Sequence, residues 1–260
     1  MDLKNNIQKE LLDWAKEAVR IFNGVSADTN TRYIQQSPLD CIRKGIETMV
    51  IGINPGSAQP GVTAITAEEF LAGNPCWNHR FENYAEGSEV SDRWAKFFGN
   101  AHYFICGDKS CHINGFDDDA KTVWTNLTPF ATVNAQQLKK VHYEVSLPFL
   151  IRLIEILSPK RIVLLGSDAF NCMTKYAEAD VQREKVVRDR QGKMALEIGA
   201  IAGIPAIQLP HPSNNWGCHN LIAPIFVKMW EIVLNEKLSL KDCAAKMRSQ
   251  LTRLEPVEDF

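Results

Sequence analysis

No run of eighteen apolar residues occurs anywhere in the 260-residue sequence, so a membrane-crossing helix is not expected. The opening stretch, MDLKNNIQKELLDWAKEAVR, is charged and amphipathic instead of basic and then apolar, which argues against a secretion signal. The seven cysteines (41, 76, 106, 111, 172, 218 and 243) are odd in number and scattered. A chain this long needs no disulfide framework, so reduced thiols and a cytoplasmic location are expected. Charge is also scarce in net terms: 29 basic against 31 acidic residues leave −2. That balance excludes coating nucleic acid by bulk electrostatics, but not a local grip on a few phosphates by backbone amides and polar side chains. Repeats, low-complexity tracts and composition breaks are missing, so one domain over residues 1–260 is expected. Neither Ser167 nor Ser213 sits in a GxSxG elbow, which removes the usual signature of an esterase.

What is present is a hydrophobic content of 45% in strongly patterned segments, enough for a sizeable core. Ile7, Leu11, Trp14, Ala18 and Phe22 form one helical stripe. Others run through Leu147, Leu150, Ile154 and Leu157, stopped by Pro159, and through Ile222, Phe226, Met229 and Val233. A last helix opens on the capping pattern from Ser239 to Asp242 and carries Leu240, Cys243, Met247, Leu251 and Leu254. Between them lie four short apolar runs: Thr48 to Ile53, Val123 to Leu127, Arg161 to Leu165 and Ala206 to Leu209. None alternates with polar residues for most of its length, which suits strands covered on both faces. The expected fold is α/β, a three-layer α/β/α sandwich with a central four-stranded parallel sheet. The core bearing the motifs spans about residues 45–235, between helical extensions. The stretch from Gly56 to Lys121 is long for a connection and is expected to hold helices at Ala67 to Leu71 and Ser91 to Phe98, with a turn at Gly73, Asn74 and Pro75.

Ligands of parallel sheets bind at the carboxyl ends of strands, where strand order reverses. Three of the four runs carry unusual polar residues there: Asn54 in GINPG, Asn126 in WTNLTPF, and His211 with Ser213 in LPHPSNNW. Each has an ordinary structural explanation taken singly. Together they suggest one crevice.

GINPG, Gly52 to Gly56, resembles the first motif of the mismatch-specific uracil/thymine glycosylases and is close to the GMNPG form of the single-strand-selective uracil glycosylases. HPS, His211 to Ser213, resembles the second motif of the uracil-DNA glycosylase superfamily. The resemblance implies a monofunctional DNA glycosylase that flips a uracil or other damaged or modified base out of DNA and hydrolyses its N-glycosidic bond. Position by position, it makes Asn54 the residue holding the attacking water and His211 the donor to a base carbonyl. Asn126 becomes the reader of the base edge, with Ile53 and Phe70 beside the base. Gly56, Ser57, Pro212, Ser213, Asn214, Asn215 and Trp216 become DNA contacts, Trp216 as a wedge or stacking group. The partner implied is DNA carrying a modified or deaminated base, bound by a monomer in the nucleoid.

The sequence departs from that pattern where an aromatic is expected about a dozen residues after the water-holding position. Ala64, Ile65, Thr66 and Ala67 stand there, and Phe70 is the first aromatic. Phe70, Trp77 or Phe81 must replace it, or the pocket is wider than uracil needs. A wide pocket would suit a bulky modified phage base and a role in anti-phage defence. A non-catalytic nucleic-acid-binding member of the fold is the other alternative. Cys106, Cys111 and His112 form a C-x4-C-H cluster that Cys76 and His79 could extend, but the spacing matches no iron–sulfur pattern. Asp117 to Asp119 reads as a solvated helix start. No metal or cofactor is expected, and no lysine lies in either motif to form an imine.

Overall fold

The computed structural model describes residues 3–42, 45–56, 60–74, 122–166, 168–177, 179–188, 195–211 and 219–252. In chain order the elements are α1 (Leu3–Thr29), β1 (Thr48–Gly52), α2 (Ala67–Ala72), β2 (Thr122–Asn126), α3 (Lys140–Leu157), β3 (Arg161–Leu165), α4 (Ala169–Tyr176), β4 (Val181–Arg188), β5 (Ala195–Ile201), β6 (Ile204–Leu209), α5 (His219–Leu234) and α6 (Leu240–Thr252). The expected helix at Ser91 to Phe98, Trp77 and Phe81, and the cluster around Cys76, Cys106, Cys111 and Asp117 lie outside the described residues.

The sheet has six strands in the order β2-β1-β3-β6-β5-β4. The four runs read from the sequence form its parallel part, with β1 pairing β2 and β3, and β3 pairing β6. The expectation of a four-stranded parallel sheet is corrected at the β6 edge, where β5 and β4 add antiparallel and make the sheet mixed. Charged residues on β4, Arg183, Glu184 and Lys185, disguise it. As the last strand of the sheet, with only Val186 of those described on it buried, it tolerates them.

Alternation along the strands divides the core in two. Met49, Ile51, Val123, Ile162 and Leu164 pack with α1, α2, α3 and α4. Val50, Trp124, Val163, Leu165, Ile207 and Leu209 pack with α5 and α6. Helices therefore cover both faces, and Met49, Val50 and Ile51 are all 0% exposed. The outer edge of β2 is closed by the segment before β1: Ser37 N–H donates to Trp124 O at 3.0 Å, and Trp124 N–H donates to Ser37 Oγ at 2.8 Å.

The loop from β2 to α3 is pinned by His142, which is fully buried. Its Nδ1 accepts the Lys139 N–H at 3.1 Å at the start of α3, and the His142 N–H donates to Lys139 O at 3.0 Å. Thr29 Oγ1 donates to Val25 O, so the Thr29 oxygen is left to accept from His142 Nε2–H, 3.2 Å away. That assigns the neutral Nε2–H tautomer. The ring stacks on Phe130 with centroids 4.6 Å apart.

Burial lowers the His142 pKa from 6.5 to about 4, with the Lys139 charge adding to the effect. Because the unfolded chain takes up the proton first, this stabilisation is complete above pH 6.5 and is lost as pH falls toward 4. Urea denaturation should show a loss on the order of 3 kcal/mol across that window, and His142→Phe should remove that part of the pH dependence. An unchanged pH profile in the variant would refute the assignment.

Candidate functional site

Parallel register puts Gly52 of β1 beside Asn126 of β2. On the other side, Ile51 is level with Leu164, and Leu165 with Leu209. All four strands thus end at nearly the same height, and Asn54, Asn126 and His211 emerge along one edge. β1 is where strand order reverses: the chain steps from β1 to β2 on one side, then crosses to β3 on the other. With strands about 4.8 Å apart, the strands leading to Asn54 and His211 are separated by roughly 10 Å, and those of Asn126 and His211 by roughly 14 Å. The edge accommodates something the size of a nucleotide more readily than a lone small ring.

Asn54 is half-buried and held by one neighbour. Its Nδ2 donates to Thr132 Oγ1 at 2.9 Å and to Thr132 O at 3.3 Å. A main-chain carbonyl can only accept, so the nitrogen of the amide faces Thr132 and Oδ1 faces away. Oδ1 has no hydrogen-bond partner among the described residues. It is a fixed acceptor at the end of the central strand.

Asn126 is only 7% exposed, and its amide makes no hydrogen bond among the described residues. Gly52 creates its space. A methyl group at Gly52 would lie 2.6 Å from Asn126 Oδ1 and 3.8 Å from Trp124 Nε1. The amide therefore rests on the bare backbone of β1, on the face shared with α5 and α6.

His211 follows β6 and is half-buried. Burial lowers its pKa from the usual histidine value, which favours the neutral ring, a form with one N–H and one lone pair. Between Asn54 and His211 lies the end of β3. Gly166, at φ +114°, donates its N–H to Leu209 O at 2.8 Å. A methyl group on it would stand 3.0 Å from Ile53 Cδ1, so Ile53 leans across the end of β3 between the two polar residues.

Phe70 lies in the hydrophobic core. Its ring is 2% exposed and packed against Trp14, Phe22 and Tyr33, with centroids 5.7, 6.0 and 5.7 Å away. α2 is amphipathic, and Phe70 with Ala67 and Leu71 forms its inner face, while the ring also lines a small cavity that Asn126 borders. Gly56 ends the described part of its loop at φ +61°, with nothing within 4 Å of a Cβ. Ser57, Pro212, Ser213, Asn214, Asn215 and Trp216 lie outside the described residues. Thr132 was not singled out in the sequence, where TPFATVN reads as an ordinary loop. Among the described residues no group of three or more His, Cys, Asp or Glu could hold a metal.

No protein-family model matches the chain, and no curated protein matches it. The candidate site therefore rests on its geometry and on the motif resemblance.

Two glycines at this edge should respond differently to alanine. Gly52→Ala must push the Asn126 amide aside and should cost about 1–3 kcal/mol in denaturant unfolding. Gly56→Ala meets no atom and should cost about 1–2 kcal/mol from its left-handed backbone alone. A crystal structure of the first variant with Asn126 unmoved would contradict the contact.

Proposed function

We propose that the chain is a monofunctional DNA glycosylase of the uracil-DNA glycosylase type, acting in base excision on a flipped uracil or another damaged or modified base. The observation that carries this reading is the pair of amides at the switch point. Asn54 is anchored by its nitrogen, and among the described residues neither its oxygen nor the Asn126 amide makes a hydrogen bond.

Each group suits one part of the chemistry. In a flipped pyrimidine the neighbouring N3–H and O4 match the acceptor and donor of the Asn126 amide. As the C1′–N1 bond breaks, its electron pair moves onto the base and charge builds on the O2 carbonyl. A neutral imidazole N–H from His211 can stabilise that charge, a contribution typically worth ~10²–10³ in rate. Asn54 Oδ1 accepts from a water and orients its oxygen toward the electron-poor C1′. The amide cannot take the proton, which passes to solvent after the C1′–O bond forms. Such a device suffices when bond cleavage runs ahead of attack.

One observation bears on a variant of this reading. Phe70 is packed in the core, which leaves Trp77, Phe81 or a pocket wider than uracil requires as the ways to meet the base. A wider pocket would fit a bulky modified base of phage DNA and a defensive role.

The test is a panel of oligonucleotides, each with one lesion or modification, scored for alkali-labile abasic sites. Preference for uracil supports repair, and preference for a bulky base supports defence. Tight binding with no abasic product from any substrate would overturn the glycosylase reading in favour of a binding module. On the preferred substrate, Asn54→Ala should abolish single-turnover cleavage with little change in DNA affinity. Because burial lowers the His211 pKa, any inflection of the wild-type rate from this histidine should fall at lower pH than that of an ordinary histidine.

A further inference from the structure

We infer that Thr132 is a positioning residue that sets the polarity of the Asn54 amide and so dictates that the water-holding group be an amide and not a carboxylate. This inference rests on the glycosylase reading for its kinetic consequences, but not for its geometry.

An asparagine side chain can present either end to a ligand, since its two orientations have nearly the same shape. Here one end is chosen. Thr132 O can only accept. Thr132 Oγ1 spends its own hydrogen on Asn134 O, 2.8 Å away, and so also turns a lone pair toward Asn54. Two acceptors from one residue therefore converge on Asn54 Nδ2, and Oδ1 is forced outward. Asn134 O is itself fixed, because it also accepts Gln137 N–H at 3.2 Å in the short 3-10 turn Ala135–Gln137. The Gln137 side chain closes the turn by accepting Val133 N–H at 3.1 Å. Thr132 is 9% exposed and sits in the loop that His142 and Phe130 anchor. The chain of donors thus runs in one direction, from Asn54 to Thr132 to Asn134, and cannot be reversed without leaving a hydrogen with no acceptor.

A carboxylate in place of Asn54 would set an oxygen against the same two acceptors, lone pair against lone pair. An aspartate is nearly isosteric and a better base. On grounds of shape and basicity alone it should speed the reaction. On this geometry it should slow it.

Four variants and one spectroscopic readout test the idea. Thr132→Val keeps the shape and removes the hydroxyl. It should lower the single-turnover rate about tenfold to a hundredfold with unchanged DNA affinity. Thr132→Ser should stay within about threefold of wild type. Asn54→Asp should be slower than wild type at neutral pH. Adding Thr132→Val to Asn54→Ala should leave any residual rate unchanged, since the two act as a unit. Independently of activity, the two Asn54 side-chain amide protons should exchange slowly with solvent by NMR. In Thr132→Val that protection should fall while the backbone spectrum elsewhere is preserved. A wild-type rate in Thr132→Val, a faster Asn54→Asp, or unprotected Asn54 amide protons in the wild type would each overturn the inference. If the wild-type protein releases no base from any oligonucleotide, the glycosylase reading fails, and the amide protons still decide the role of Thr132.

Discussion

The structure depends on the burial of β1. Met49, Val50 and Ile51 make it apolar on both faces and are wholly enclosed, so the strand is stable only inside a parallel sheet with helices above and below. Its edges are hydrogen-bonded to β2 on one side and β3 on the other, which makes it the strand at which the chain reverses direction across the sheet. That placement requires its carboxyl end to open between two diverging connections. GINPG occupies that opening because the next residues must leave the sheet abruptly. A glycine at the last strand position also lets the neighbouring Asn126 amide lie against the backbone.

The two edges of the parallel sheet differ in their electrostatics. At the amino ends of β1 and β3, charges are paired: Lys160 with Glu47 at 3.2 Å, and Arg161 with Glu231, while the Arg161 Nε–H also reaches Thr48 Oγ1 at 2.9 Å. Such exposed pairs add little stability, but they leave no uncompensated field at that end. At the carboxyl ends, the described side chains of Asn54, Asn126 and His211 carry no fixed charge, and Asp168 follows β3 at the start of α4. A site made of neutral dipoles suits the net charge of −2. What such dipoles can distinguish is set by the direction of each donor and acceptor.

The parallel strands were legible because burial on both faces erases alternation, leaving short β-branched runs that are hard to mistake. The long helices were legible for the opposite reason, since one buried stripe imposes a regular spacing. The β4–β5 hairpin was not, because β4 is an edge strand rich in charged residues, and its signal resembles a polar connection. Glu197 is more instructive still. It is 2% exposed, ion-paired to Arg183 at 3.5 Å and in register with the buried Gln208. A buried acidic residue is what sequence patterning takes as evidence against a core strand. Helix α4 is only eight residues long, too short for its periodicity to be distinctive.

Within the site, the residues that follow strands could be found from position alone, since a strand end determines where a side chain emerges. Phe70 and Thr132 show where that logic stops. Phe70 was placed by counting along the chain from Asn54, but distance in sequence does not say which face of α2 looks inward. The answer came from the aromatic cluster built around Phe22. Thr132 carries no motif and contributes through a lone pair and a main-chain carbonyl. Any residue could supply the carbonyl, and a hydroxyl in a loop is too common to stand out. Its importance follows from direction: a hydrogen bond has a donor and an acceptor end, and a chain of them anchored at Asn134 O transmits that direction to the amide two steps away. Sequence specifies which atoms are available, and only the fold specifies which way each bond must run.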